Sequence, residues 1–89
     1  MDLKTLTELR APSGHEQPIR RALLAELKDM GLDPQLDRMG NVVVVKQGTK
    51  GADAPRVMVA AHMDEVGLLV ANATEEGFLR TLPVGGVDS

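Results

Sequence analysis

Apolar positions recur with two different periods along the chain, and the change of period divides it. Over the first third the spacing is helical. Leu3, Leu6 and Leu9 or Arg10 fall three to four residues apart, so a short helix is expected over Asp2 to Arg10, with Asp2 placed to cap its N-terminus. Ala11-Pro12-Ser13-Gly14 breaks it, because Pro12 disfavours helix at Ala11 and Gly14 loosens the turn. The next helix is the clearest element. Ile19, Leu23, Leu27 and Met30 form one stripe, widened by Ala22 and Leu24, while Arg20, Arg21, Glu26, Lys28 and Asp29 are expected to face outward. Ser13 and Glu16 have capping-box spacing. Pro18 then falls at the edge of the first turn, or the cap sits a few residues later. Gly31 is placed to end the helix.

Beyond Gly31 the pattern changes to strands. Pro34 to Arg38 and Asn41 to Gln47 read as two strands joined by a tight turn at Met39-Gly40. Val42-Val43-Val44-Val45 is a continuous β-branched run, which suggests burial on both faces. Gly48 to Pro55 reads as an exposed loop, and Arg56 to His62 as a third, nearly all-apolar strand. Gly67 to Asn72 and Phe78 to Leu82 complete five strands, with a turn at Thr74 to Gly77. Two strands that expect cover on both faces, in a chain with helices for only one, point to a piece of a larger α/β protein.

Composition narrows the function. The chain has 89 residues, 43% of them hydrophobic, so disorder is not expected. Phe78 is its one aromatic residue, which leaves any core to small aliphatic side chains and methionine. The net charge is −3 with no basic stripe, which argues against a nucleic-acid partner. There is no cysteine, hence no disulfide and no thiolate metal site. The N-terminus lacks the pattern of a signal peptide, and no apolar run approaches the ~20 residues of a membrane span. The expectation is a soluble, cytoplasmic protein with no membrane partner.

The candidate chemistry lies in Ala60-Ala61-His62-Met63-Asp64-Glu65-Val66-Gly67. Two residues apart at the end of a strand, His62 and Asp64 share a face. α/β proteins build ligand sites at such strand ends. The pair suits a metal, with His62 as ligand and Asp64 as orienting partner or second ligand. The plainer alternative is a histidine that caps the strand and bonds the neighbouring aspartate. Glu65 would leave on the opposite face, and a solvated loop acid is its simpler reading over a ligand or proton shuttle. His15 reads as a polar residue of the first helical turn, Asp37 and Asn41 as residues flanking the hairpin turn, and Gly85-Gly86 as a tight turn without phosphate-loop spacing. No serine sits in a nucleophile elbow and cysteine is absent, which leaves a metal-activated water as the nucleophile to expect.

Five segments taken together are more specific than any one of them. Ala11-Pro12-Ser13-Gly14-His15-Glu16, Asp37-Arg38-Met39-Gly40-Asn41, Ala60 to Gly67, Gly77-Phe78-Leu79-Arg80, and Leu82-Pro83-Val84-Gly85-Gly86-Val87-Asp88 resemble the N-terminal part of an M42-family metalloaminopeptidase, of the glutamyl or deblocking type. The resemblance covers nearly the whole chain. It implies the N-terminal part of a zinc-peptidase-like α/β sandwich, incomplete as a domain, with residues 1–76 in the catalytic domain and 77–89 opening an inserted β-rich domain. It implies two divalent metal ions, zinc or cobalt, in the complete enzyme, with His62 as a metal ligand and Asp64 as the carboxylate that orients it. The reaction implied is hydrolysis of N-terminal residues from peptide substrates, in a homo-oligomer built from dimers, such as a dodecamer. Family members are several times longer, and their remaining ligands and general base lie downstream. The 89-residue chain is therefore expected to be inactive alone. The alternatives are a related co-catalytic metallohydrolase, acting as carboxypeptidase or deacylase, and a non-enzymatic module that pairs its exposed strands with a partner.

Overall fold

A computed structural model describes residues 1–87. Asp88 and Ser89, at the end of the segment expected to open an inserted domain, lie outside the described residues. The elements run in the order α1 (Leu3–Thr7), α2 (Gln17–Asp29), β1 (Gln35–Leu36), β2 (Val42–Val43), a single 3-10 turn (Gly51–Asp53), β3 (Gly67–Ala73) and β4 (Leu79–Val84). The fold class is α/β, with two antiparallel pairs, β1–β2 and β3–β4.

Asp2 caps α1 as expected: its Oδ1 accepts from the Thr5 amide at 2.8 Å and the Thr5 hydroxyl at 2.6 Å. The helix is shorter than its pattern, ending at Thr7, and the chain then turns toward Ala11. In α2 the cap differs from the expected capping box. The helix begins at Gln17, with Glu16 as its N-cap residue and Pro18 in the first turn, where its missing N–H costs nothing. Glu16 instead reaches back to the Gly14 amide at 3.0 Å, which holds its carboxyl below the usual carboxylate range.

The far end of α2 follows its sequence closely. The Gly31 amide donates to the Lys28 carbonyl at 2.9 Å and the Leu32 amide to the Leu27 carbonyl at 3.0 Å. This is the Schellman arrangement, and it needs a left-handed residue at Gly31, whose φ is 78°. Ile19, Ala22, Leu23, Leu24 and Leu27 are half-buried, whereas Met30 is exposed. Two charges expected only to face water are bonded within the chain. Glu26 accepts from the Met1 amine at 2.8 Å, and Arg20 donates to the Gly40 carbonyl at 2.8 Å.

The β1–β2 hairpin is short, pairing Gln35 with Val43 and Leu36 with Val42. Its turn is organised by Asp37, which accepts from the Met39 and Asn41 amides, both at 2.9 Å, and from the Asn41 side chain at 2.7 Å. The Asn41 side chain, then its amide, lower the Asp37 pKa. The β3–β4 hairpin is longer, with pairs from Gly67–Val84 to Ala73–Leu79 and an irregularity between Val70 and Asn72. Its turn closes with the Thr74 amide on the Phe78 carbonyl at 2.8 Å and the Gly77 amide on the Thr74 carbonyl at 3.1 Å.

The third expected strand is absent. Arg56 to His62 pairs with no other segment among the described residues, and Val57, Met58 and Val59 are 84%, 89% and 92% exposed. An apolar, β-branched run becomes a strand only when neighbours take its amides and carbonyls and a layer covers its side chains. Neither lies beside this segment among the described residues. The same holds, less fully, for Val42 to Val45, which is half-buried at alternate positions rather than buried on both faces.

The shape reflects this. The radius of gyration is 18.0 Å, against about 12 Å for a compact domain of this length. The accessible surface is 7945 Å², against about 5,000 Å² for a compact monomer. Ala11, 1% exposed, is the one fully buried apolar side chain outside proline among the described residues. It lies at the junction that holds the candidate site.

Candidate functional site

His62 and Asp64 meet as their spacing predicted, although the segment before them is extended chain rather than strand. The His62 Nδ1 lies 3.1 Å from Asp64 Oδ1 and 3.0 Å from the Asp64 backbone carbonyl. Carboxylate and carbonyl oxygens only accept, so Nδ1 carries the hydrogen in either contact. In the neutral ring Nε2 then presents its lone pair. The His62 side chain is 85% exposed, so that lone pair is open to a ligand. A histidine held by a carboxylate at one nitrogen, with the other nitrogen presenting its lone pair, is the usual arrangement of a metal-binding histidine. These two residues fit a metal's first ligand and its orienting carboxylate. Among the described residues no group of three His, Asp or Glu side chains is placed to hold an ion.

Met63, between them in sequence, is half-buried. It lines two adjoining grooves, of about 270 and 310 Å³, with Leu6 of α1 and Ile19 of α2. His62 lines both grooves as well and Asp64 the first, so the polar pair borders the same grooves as Met63 rather than a separate face.

Glu65, expected as a solvated loop acid, is exposed, but its hydrogen-bond partner has no signal in the sequence. Its carboxylate is nonetheless bonded within the chain. Its Oε1 accepts from the Ala11 amide at 3.1 Å, and its own amide donates to the Ala11 carbonyl at 3.0 Å. A parallel bridge between Pro12 and Glu65 continues the contact. The partner is a backbone group 54 positions away, which no local pattern announces. His15 lies before α2 rather than within its first turn, and its amide donates to the Pro12 carbonyl at 2.9 Å. His15 lines neither groove.

The model of the M42 glutamyl aminopeptidase family matches residues 40–89. Over 84 residues the chain is 45% identical to a glutamyl aminopeptidase of Lactococcus lactis subsp. cremoris (strain MG1363), covering 94% of this chain and 23% of that protein. It superposes on the aminopeptidase APDkam598 from the archaeon Desulfurococcus kamchatkensis with a TM-score of 0.76 and 47% identity, over 94% of this chain and 23% of that one. It superposes equally well, at 0.76 and 38% identity, on PhTET1-12s, a dodecamer in its crystal, over 99% of this chain and 27% of that one. The class these define is that of the α/β aminopeptidases. The chain belongs to the M42 glutamyl aminopeptidase family. It spans about a quarter of the length of the relatives it matches.

Proposed function

We propose that this chain is the N-terminal part of a metal-dependent aminopeptidase that removes N-terminal residues from peptides. The observation that carries the reading is the His62–Asp64 pair, in a chain whose relatives are named aminopeptidases. His62 would bind a divalent ion, zinc or cobalt, through Nε2, as one ligand of a two-metal site. Asp64 would hold the Nδ1–H and so fix the ring's tautomer and orientation. Bound metal of this kind activates a water as nucleophile and polarises the scissile carbonyl. Catalytic zinc takes three protein ligands, so one histidine does not make a working centre. The isolated chain is accordingly inactive in this reading.

The same reading assigns residues 1–76 to the catalytic α/β domain and 77–89 to the start of an inserted β-rich domain, divided at the Thr74–Gly77 turn. It places the complete protein in the cytoplasm as a dimer-based homo-oligomer, an idea supported by the dodecameric relative. No described helix is long and apolar enough to cross a membrane.

The test is a zinc and cobalt titration of the chain followed at the imidazole resonances, with His62→Ala as control, beside an assay on peptides with free N-termini. The expected result is that the His62 signals move at lower zinc concentration than those of His15, without turnover. Equal response of the two histidines would remove the ligand assignment. Metal-dependent turnover by the pure chain would remove the incomplete-site reading.

A further inference from the structure

The motif contains a carboxylate that the proposed site does not use. Glu65 follows Asp64 directly, and its side chain goes to Ala11. Ala11 is 1% exposed, so its amide has no access to water and needs an acceptor from the protein. Glu65 is that acceptor, and its own amide takes the Ala11 carbonyl as well. One residue therefore satisfies both polar groups of the buried alanine.

The second of these bonds reaches the metal-ligand pair through a single peptide plane. The Glu65 amide that donates to Ala11 and the Asp64 carbonyl that accepts from His62 Nδ1 belong to the same peptide unit. That unit is planar and trans, so its N–H and C=O point in opposite directions. Fixing one end on Ala11 fixes where the other end meets the imidazole. On the far side Gly67 runs close to Pro12, where an added Cβ would come within 3.5 Å of the Pro12 Cβ. The loop after His62 is thus pressed against the α1–α2 connection along Ala11 and Pro12.

We propose that Glu65 is a positioning residue for His62: it clamps the Asp64–Glu65 peptide to Ala11 and thereby holds the carbonyl and carboxylate of Asp64 on the imidazole Nδ1. The clamp uses Glu65 as a hydrogen-bond acceptor and not as a charge. The inference rests on the ligand reading of His62 given above. It separates Glu65 from the two roles an acid beside a metal site would otherwise have, ligand and proton carrier, both of which need the carboxylate itself.

The difference is testable because glutamine keeps the acceptor oxygen and alanine does not. The 89-residue chain, labelled with nitrogen-15, is compared with Glu65→Gln and Glu65→Ala by long-range proton–nitrogen correlation of the imidazoles at about pH 8, where an ordinary imidazole is neutral. His15 is the internal reference, and the amides of Leu23 to Leu27 report whether α2 is intact. The expected result is a His62 ring protonated at Nδ1 in the wild type and in Glu65→Gln. In Glu65→Ala that preference is lost, and exchange of the Ala11 amide is faster. A wild-type preference that survives Glu65→Ala overturns the clamp and leaves the ligand reading standing. Loss of the preference in Glu65→Gln with α2 intact also overturns it, because the charge would then be what matters. If Glu65→Ala loses its α2 amides, Glu65→Gln alone decides in the same way. A wild-type His62 with no Nδ1 preference overturns the ligand reading itself, and the clamp with it.

Discussion

The Arg20 side chain donates from Nε to the Gly40 carbonyl across 2.8 Å, joining α2 to the turn of the β1–β2 hairpin. Gly40 has φ 84°, and a Cβ built on it would overlap the Arg20 guanidinium. Gly31, at φ 78°, has open space around its missing side chain. The two glycines therefore separate strain from crowding. Gly31→Ala carries the left-handed penalty alone, about 1 kcal/mol. Gly40→Ala carries that penalty and also displaces Arg20 from the turn. We expect Gly40→Ala to cost more than Gly31→Ala in thermal or urea unfolding, and the excess to vanish in an Arg20→Ala background. Equal costs in the wild-type background would show that the Arg20 contact contributes nothing.

Asp64 holds His62 with two groups, and only one of them is a side chain. Asp64→Ala removes the carboxylate contact at 3.1 Å but leaves the backbone carbonyl at 3.0 Å. Loss of a carboxylate that orients a metal-binding histidine costs roughly 10–100-fold in metal affinity. The retained carbonyl places this variant at the low end, near a ~10-fold loss of zinc response at His62. The measurement is the zinc concentration that half-shifts the His62 resonances. A loss as complete as that of His62→Ala would mean that the carbonyl does not hold the ring.

The short helix α1 is tied by two groups that titrate in opposite directions. The Met1 amine lies 2.8 Å from Glu26 Oε1, and this hydrogen bond and charge raise its pKa above 8.0. A raised amine pKa gives stability that is complete below pH 8.0 and lost as pH rises through the folded-state value. The Asp2 carboxyl is lowered below 3.8 by the Thr5 hydroxyl and amide. A lowered carboxyl pKa gives stability present above pH 3.8 and lost as pH falls through the folded-state value. The α1 amide shifts are expected to hold steady near neutrality and to move toward coil values at both extremes. Acetylation of the N-terminus should reproduce the alkaline effect at neutral pH. An acetylated chain with unchanged α1 shifts would show that the Met1–Glu26 contact does not stabilise the helix.

What the sequence reveals and what it hides divide along one physical line. Elements whose hydrogen bonds are local were legible. The apolar stripe of α2 and the glycine at 31 give the helix and its Schellman end. Thr74 to Gly77 gives the β3–β4 turn, and Asp37 with Asn41 gives the other hairpin. The His62–Asp64 pair was legible for the same reason, since two residues two positions apart meet with little help from the rest of the chain. Features that depend on distant partners were not. Glu65 looked like a loop acid because its partner is a backbone amide, which has no side-chain signature. Arg20 and Glu26 looked solvated because a helical wheel does not show the Gly40 carbonyl or the Met1 amine. Arg56 to His62 failed in the other direction: its composition states what a strand would gain from neighbours, and the described residues do not supply them.

Val57-Met58-Val59-Ala60-Ala61 is apolar, uncharged and free of proline, with Val59 at 92% exposure. Its amides and carbonyls are unpaired with any other strand among the described residues. Such a segment is a template for pairing with another copy of itself. Pro55 and Arg56 guard its N-terminal side, and no charge guards its middle. The isolated chain is expected to self-associate with rising concentration, and Val59→Lys to raise the soluble concentration severalfold. The hairpin offers a competing surface, since Leu68, Val70, Leu79 and Leu82 are exposed by 58–61%. Its strands are already paired with each other, so its backbone is half satisfied and it should matter less. Light scattering across a dilution series of the wild type, Val59→Lys and Val70→Lys distinguishes the two. A larger effect from Val70→Lys would place the self-association on the hairpin and not on the uncovered segment before His62.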